Sequence, residues 1–250
     1  MRIIVLLFAL ATPVVAWLSQ TGAFGPDQGT ISDRYPTLLV AAGWAFSIWS
    51  LIFALDILHG VLQLTGRRRH DRVLERIAPA TAAGFFLTAI WMPLFSQELF
   101  WVCVLVIFGA LACLAWSALV LSRNRGNLWS WLALSLHAGW LSLAAFLNLA
   151  QTIVAYEVLP TNDMLGWSAV LFLLAGALLL GLNHAMRGNL AYVAAALWGL
   201  VAVYARQSGS ELDGSSTTAW IAIGIALVLA VQTAWLRMRA GLSWRTGTRA

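Results

Sequence analysis

The chain reads as an all-α, polytopic membrane helix bundle of about eight transmembrane helices, and three observations carry that reading. Of its 250 residues 61% are hydrophobic and 10% charged, where soluble domains run at about 45–50% and about 25%. Apolar runs recur along the sequence, punctuated by Gly, Pro, Asn and charge, and a hydrocarbon core of about 30 Å needs about 20 such residues per helix. The basic residues fall on alternate connections between those runs, as they must if every run crosses the bilayer.

Taken in order, the spans are Ile3–Ser19, Pro36–Leu64, Ile77–Phe95, Phe100–Leu121, Leu128–Val154, Leu165–Leu182, Leu190–Tyr204 and Thr217–Leu236. The first is short and follows Arg2, and with Val14, Val15 and Ala16 it also has the look of a secretory signal with its cleavage site. Retained, it crosses with some thinning of the bilayer, and Pro13 only kinks it. The connection 20–35 is polar, Gly-rich and long enough to fold over the helix ends as a lid. Arg2, Arg67, Arg68, Arg69, Arg72, Arg76, Arg123, Arg125, Arg187, Arg237, Arg239, Arg245 and Arg249 collect on one side, and only Arg34 and Arg206 on the other. Asp27, Asp33, Glu98, Glu157, Asp163, Glu211 and Asp213 share that Arg-poor side. Both termini are therefore expected in the cytoplasm, as for a protein of the bacterial inner membrane. The 67–76 segment and the 237–250 tail hold orientation and touch anionic headgroups, and no nucleic-acid partner is expected.

Several chemistries are excluded. The sequence has no lysine, which removes retinal or pyridoxal Schiff bases and the Walker A phosphate loop. Cys103 and Cys113 would lie about 15 Å apart along one helix, too far for a disulfide. Neither HExxH nor GxSxG occurs, so no catalytic constellation is recognisable and binding is favoured over catalysis. The histidines share no helix at ligand spacing, so no metal ligand is assigned; His59, His137 and His184 are expected to cluster in the Arg-rich half.

Fourteen tryptophans call first for interfacial belts, and Trp17, Trp101, Trp129, Trp131, Trp220, Trp235 and Trp244 lie near span ends where indoles anchor. Trp49, Trp91 and Trp140 lie deeper, where each N–H needs a partner or a ligand. Helical steps connect Phe46, Trp49, Phe53, Asp56, Gly60 and Gln63 on the second span, Thr81, Gly84, Thr88, Trp91 and Phe95 on the third, and His137, Trp140, Ala144, Asn148 and Gln151 on the fifth. Such faces are too polar and aromatic for lipid and are expected to meet. Asp56 and His137 fall at matching depth, about 12–14 Å from the Arg-rich ends, which fits an intramembrane polar pair. Trp49, Trp91, Pro93, Phe95, Phe146, Asn148 and Gln151 fall in the other half, beneath the lid, as a candidate ligand pocket.

The segment Gly43-Trp44-Ala45-Phe46-Ser47-Ile48-Trp49, the segment Trp91-Met92-Pro93-Leu94-Phe95, and Trp140 followed eight residues later by Asn148 resemble, in order, signatures of the tryptophan-rich sensory protein or translocator protein (TspO/MBR) family. The resemblance covers about residues 1–155. It implies a five-helix core with its lid loop 20–35, followed over 156–250 by three additional transmembrane helices and a basic tail, as in an extended branch of the family. It also implies a hydrophobic, porphyrin-type or haem-like ligand held by Trp49, Trp91, Pro93, Trp140 and Asn148, to which the helical stripes and membrane depth add Phe46, Phe95, Phe146 and Gln151, with no cofactor certain. Thr88 stands where the family commonly has asparagine, one residue fewer separates Phe46 from Trp49 than in the shorter family members, and Tyr156 is followed by Glu157 with no basic residue nearby, which argues against a sterol motif. Three roles follow: a receptor or sensory protein for a hydrophobic ligand, a transporter of such a ligand, and a structural subunit of a larger membrane complex. A homodimer is compatible with each.

Overall fold

The computed structural model describes residues 1–124 and 127–245, with Arg67 and residues 240–245 described by backbone only. Arg125 and Arg249, used above for orientation, and the Trp244 side chain, used for anchoring, lie outside what is described. Among the described residues there is no strand, and eight helices are long and apolar enough to cross a membrane. These are α1 (Arg2–Gln20), α3 (Ile48–Leu62, preceded by a 3-10 turn, Gly43–Ser47), α4 (Arg72–Ser96), α5 (Phe100–Arg123), α6 (Leu128–Ala155), α7 (Leu165–Ala185), α8 (Leu190–Gln207) and α9 (Ser215–Arg245), with a short α2 (Gln28–Arg34) in the first loop.

Side-chain caps fix several starts. Asp71 accepts from Val73 and Leu74 at the head of α4, Asn127 from Trp129 at α6, and Asn189 from Ala191 and Tyr192 at α8. Each cap satisfies backbone N–H groups that the first helical turn leaves without partners. The turn between α4 and α5 places Glu98 at φ 57, the left-handed region that side chains other than glycine rarely adopt.

The second span departs from the sequence expectation. Residues 36–42 are not helical, and the regular helix begins only at Ile48. Backbone without helical bonds survives inside a membrane protein only where protein groups satisfy it, and α8 does this. Ala42 N–H donates to Ala202 O at 3.0 Å, Gln207 Nε2 to Thr37 O at 3.0 Å, and Trp198 Nε1 to Ala45 O at 2.9 Å. The hydropathy of this segment is helical, but its partner lies some 150 residues further on, out of reach of any local pattern.

The helices form two rings that share α6. In the first, α1 packs on α3 and α4, α4 on α5, α5 on α6, and α6 back on α3; in the second, α6 packs on α7 and α8, and α9 on both α7 and α8. Accordingly 78% of the membrane window of α6 is buried, against 22% for α1. Glycines permit the closest crossings: a Cβ on Gly139 would collide with the Tyr192 carbonyl, one on Gly84 would lie 2.5 Å from Leu114 Cγ, and one on Gly60 3.1 Å from Leu6 Cα. The C-terminal helices are thus packed against the first ring through α6 and α8.

Candidate functional site

The first loop folds across one end of the first ring. Asp27 caps α2, its carboxylate accepting from Gly29 N, Thr30 N and the Thr30 hydroxyl; the hydroxyl bond above all holds its pKa below the ordinary aspartate value. Two ties fasten the segment. Glu98, on the α4–α5 turn, receives Arg34 Nη1 at 2.7 Å and the Tyr35 hydroxyl at 2.7 Å, and the bond to Glu98 raises the Tyr35 pKa. On the other side Arg206 of α8 reaches Asp33 at 3.0 Å. Gln97 Nε2 donates to Phe24 O, and Gly25, at φ 129, lies so close to the Ser96 carbonyl that a Cβ would come within 2.8 Å of it. A glycine is required there on both counts.

Beneath this loop lies a cavity of about 40 Å³, lined by Gln28, Ser32, Val40, Phe46, Trp49, Trp91, Phe95, Ile107, Trp140, Ala144, Leu147, Asn148 and Gln151. Trp49 stacks on Phe53 at 5.2 Å and stands edge-on to Trp140 at 6.1 Å, and Trp91 packs against Phe95 at 4.8 Å. Trp91 Nε1 donates to Asn148 Oδ1 at 2.9 Å. Since an indole N–H can only donate, this bond fixes the orientation of the Asn148 amide. Asn148 Nδ2, Gln151 Nε2 and Trp140 Nε1 are buried without hydrogen-bond partners. Orphaned buried donors are costly, by about 1–3 kcal/mol each, so a wall that carries them is suited to a ligand bearing acceptor oxygens.

Of the residues singled out from the sequence, Phe46, Trp49, Trp91, Phe95, Trp140, Asn148 and Gln151 line this cavity, whereas Pro93 and Phe146 do not. Phe146 turns toward α5, 5.5 Å from Phe108, and lines a separate apolar groove between α5, α6 and α7. Its step along α6 places it on the opposite side of the helix from Asn148, a distinction the membrane-depth argument could not make. Ile107 of α5, Val40 of the non-helical segment and Gln28 and Ser32 of the lid complete the lining, and none carries a sequence signal of its own. A further cleft of about 580 Å³ between α1 and α3 shares Gln28, Phe46 and Trp49 with the cavity and is walled on its other side by Pro13, Trp17 and Phe53.

Deeper in the bundle His137 Nδ1 lies 2.8 Å from Asp56 Oδ2, both side chains buried. His137 stacks on Phe85 at 5.9 Å and meets the Trp49 ring at 5.5 Å and 88°, so the polar pair adjoins the aromatic cavity. Thr88 lies 3.4 Å from His137 Nε2 while also 2.9 Å from Gly84 O. His59 is fully buried, with Nδ1 2.9 Å from Ser130 Oγ. The three histidines do not cluster as expected: Phe85 separates His59 from His137, and His184 is exposed near the end of α7. Among the described residues no group of three His, Cys, Asp or Glu is arranged to hold a metal ion.

Trp17, Trp101, Trp129, Trp220 and Trp235 are exposed on the outer surface, and Trp131 is partly buried.

A family model described as TSPO-like protein matches residues 2–235. The match runs through α7 and α8 and most of α9. No curated protein and no solved structure matches. The ordered tryptophan signatures, the α-helical membrane architecture and a match over nearly the whole sequence lead to one conclusion: the chain belongs to the TSPO-like protein family.

Proposed function

We propose that this is a membrane receptor or sensory protein that binds a flat hydrophobic ligand of the porphyrin type in the cavity between α3, α4, α5 and α6. The observation that carries the reading is the convergence of Trp49, Trp91 and Trp140 beneath a fastened loop, with the buried amides of Asn148 and Gln151 and the Trp140 N–H free to receive acceptor oxygens. Indole faces stack on planar ligands, and a few placed polar groups orient them. Residues 1–155 form the binding part with its 20–35 lid, and the three helices that follow hold it in shape through α8. The protein lies in the inner membrane with both termini cytoplasmic, which puts the lid on the opposite side.

A cavity of about 40 Å³ holds a few waters at most, so a macrocycle enters only as an aromatic wall or the lid moves. Trp49 is the wall with space behind it, in the α1–α3 cleft. The Asp56–His137 pair favours a second reading, transport of the same ligand class, because ionisable pairs inside membranes mark transport and proton pathways.

The test is a titration of the purified full chain with protoporphyrin, followed by tryptophan fluorescence. Saturable quenching is expected, with affinity reduced at least about tenfold in Trp91→Ala, equivalent to about 1.4 kcal/mol. Quenching of equal affinity in the variant would remove the proposed site. Flux assays in liposomes separate receptor from transporter: ligand flux abolished by Asp56→Asn supports transport, and its absence in the parent protein supports reception.

A further inference from the structure

Asp56 and His59 lie one helical turn apart on α3, so their side chains are neighbours on one face. Each has a polar atom that is buried and without a partner: Asp56 Oδ1 and His59 Nε2. On either side of this gap the hydrogen bonding is continuous. Toward the cavity, Asp56 Oδ2 meets His137 Nδ1 and His137 Nε2 meets Thr88. Toward the Arg-rich end, His59 Nδ1 meets Ser130 Oγ, which in turn accepts from Asn127 Nδ2 at 3.2 Å, and Asn127 caps the start of α6. The polar chain runs from His137, which meets the cavity wall at Trp49, to one face of the bundle, interrupted once.

The Thr88 hydroxyl has a single hydrogen and two acceptors within reach. When it donates to Gly84 O, His137 Nε2 must carry its own proton to be satisfied; when it turns to His137, Nε2 accepts. The site therefore has two satisfied arrangements that differ by one proton. Nothing else competes for it among the described residues. α4 brings only Thr81 and Thr88 to this depth, Thr81 being spent on Ser117. The Tyr192 hydroxyl of α8 donates to Ser142, and on α1 Arg2 is committed to the carbonyls of Gln63, Arg68 and Asp71. The charged residues of α4, namely Arg72, Glu75 and Arg76, sit in its first turns.

We infer that ligand binding in the cavity is coupled to uptake of one proton by the Asp56–His137 pair, delivered from the Arg-rich face through Ser130, His59 and one water bridging His59 Nε2 to Asp56 Oδ1. The inference rests on the binding site proposed above. In the transfer, Ser130 gives its hydrogen to His59 Nδ1 and takes one from a second water, which enters from the aqueous side beside Asn127. His59 gives its Nε2 proton to the bridging water, which passes one to Asp56. The net change is one proton moved from the aqueous side to the pair.

The coupling element is Trp49. A ring-sized ligand displaces it toward the α1–α3 cleft, and its edge then leaves His137. An apolar ligand takes its place beside the pair. Without the proton the pair carries a net negative charge, with it none, and a macrocycle whose π face lies against His137 favours the protonated imidazole.

The experiment uses the full chain in lipid nanodiscs and mesoporphyrin dimethyl ester, a probe whose carboxyls cannot titrate. Binding is measured by calorimetry at one pH in two buffers of different ionisation enthalpy. Uptake of about 0.3–1 proton per ligand is expected from the buffer dependence. In Asp56→Asn, which keeps an acceptor for His137, saturable binding persists and the buffer dependence disappears. Stopped-flow recording with a pH indicator in His59→Phe shows proton uptake lagging the fluorescence quench at least about tenfold, where the parent shows no lag. Saturable binding with the same enthalpy in both buffers overturns the coupling. Uptake as fast in His59→Phe as in the parent overturns the route. Absence of saturable binding in the parent overturns the binding site beneath both. Should Asp56→Asn fail to fold, the two-buffer result on the parent protein alone still decides.

Discussion

The substitution Gly139→Ala tests whether the C-terminal helices are part of the working structure. Gly139 lies where α6 meets α8, and an added methyl would collide with the Tyr192 carbonyl and come within 3.1 Å of Ala195 Cβ. The obstacle is backbone, which cannot rotate away as a side-chain tip can, so α6 and α8 must separate. Overpacking of this kind costs about 1–3 kcal/mol. Separation also pulls on the bonds from Ala42, Ala45 and Thr37 to α8, which hold the non-helical segment leading into Phe46 and Trp49. The matched control is Gly224→Ala on α9, where nothing lies within 4 Å and the change is neutral or stabilises by up to about 1 kcal/mol through helix propensity. Unfolding in mixed micelles with rising dodecyl sulfate, followed by circular dichroism, should place the Gly139 variant about 2 kcal/mol or more below the control. Equal midpoints would mean that the two helices do not meet at this glycine, and the buttressing role assigned to α8 would fall with it.

Other outcomes follow from single contacts. Trp91→Phe removes the donor to Asn148 and leaves a buried amide oxygen unserved, at a cost of about 1–3 kcal/mol, measurable in the same unfolding assay. Asp56→Ala strands His137 and is expected to cost about 3–5 kcal/mol, far more than the isosteric Asn change. Glu98→Gln returns the Tyr35 phenol toward its ordinary pKa, read by phenolate absorbance. Because that pKa is raised in the folded protein, the Tyr35–Glu98 tie contributes at neutral pH and is lost as pH climbs through the tyrosine range. Asp27 has the opposite sign: its lowered pKa means the cap supports the lid above the ordinary aspartate range and fails as pH falls below it, so limited proteolysis of the first loop should accelerate in acid. Breaking the exposed Asp33–Arg206 pair alone should change stability by no more than about 1 kcal/mol.

Much of this molecule could be read from residue order. Apart from the start of the second span and the end of the last, spans defined by long apolar runs emerge within about five residues of their sequence limits, because hydrocarbon thickness acts on each segment independently of its neighbours. The pairing of Asp56 with His137 was legible for a similar reason: two costly polar groups at one depth have few alternatives to each other. What escaped was whatever depends on distant partners. Residues 36–42 have a helix-like composition yet are held open by α8. Phe146 shares the depth of Asn148 but not its face. Trp198 carries no sequence signal of its own, yet its N–H serves the Ala45 carbonyl. Gln28 and Ser32 become cavity walls only after the lid has folded, and His184 is exposed near the end of α7.

The most direct test of the account is an experimental structure of the full chain in lipid with protoporphyrin bound. The account predicts the macrocycle between Trp49, Trp91 and Trp140, with Trp49 moved toward the α1–α3 cleft and acceptor oxygens on Asn148, Gln151 or the Trp140 N–H. A porphyrin seated instead on the outer, lipid-facing surface, with Trp49 unmoved and the cavity closed, would contradict it.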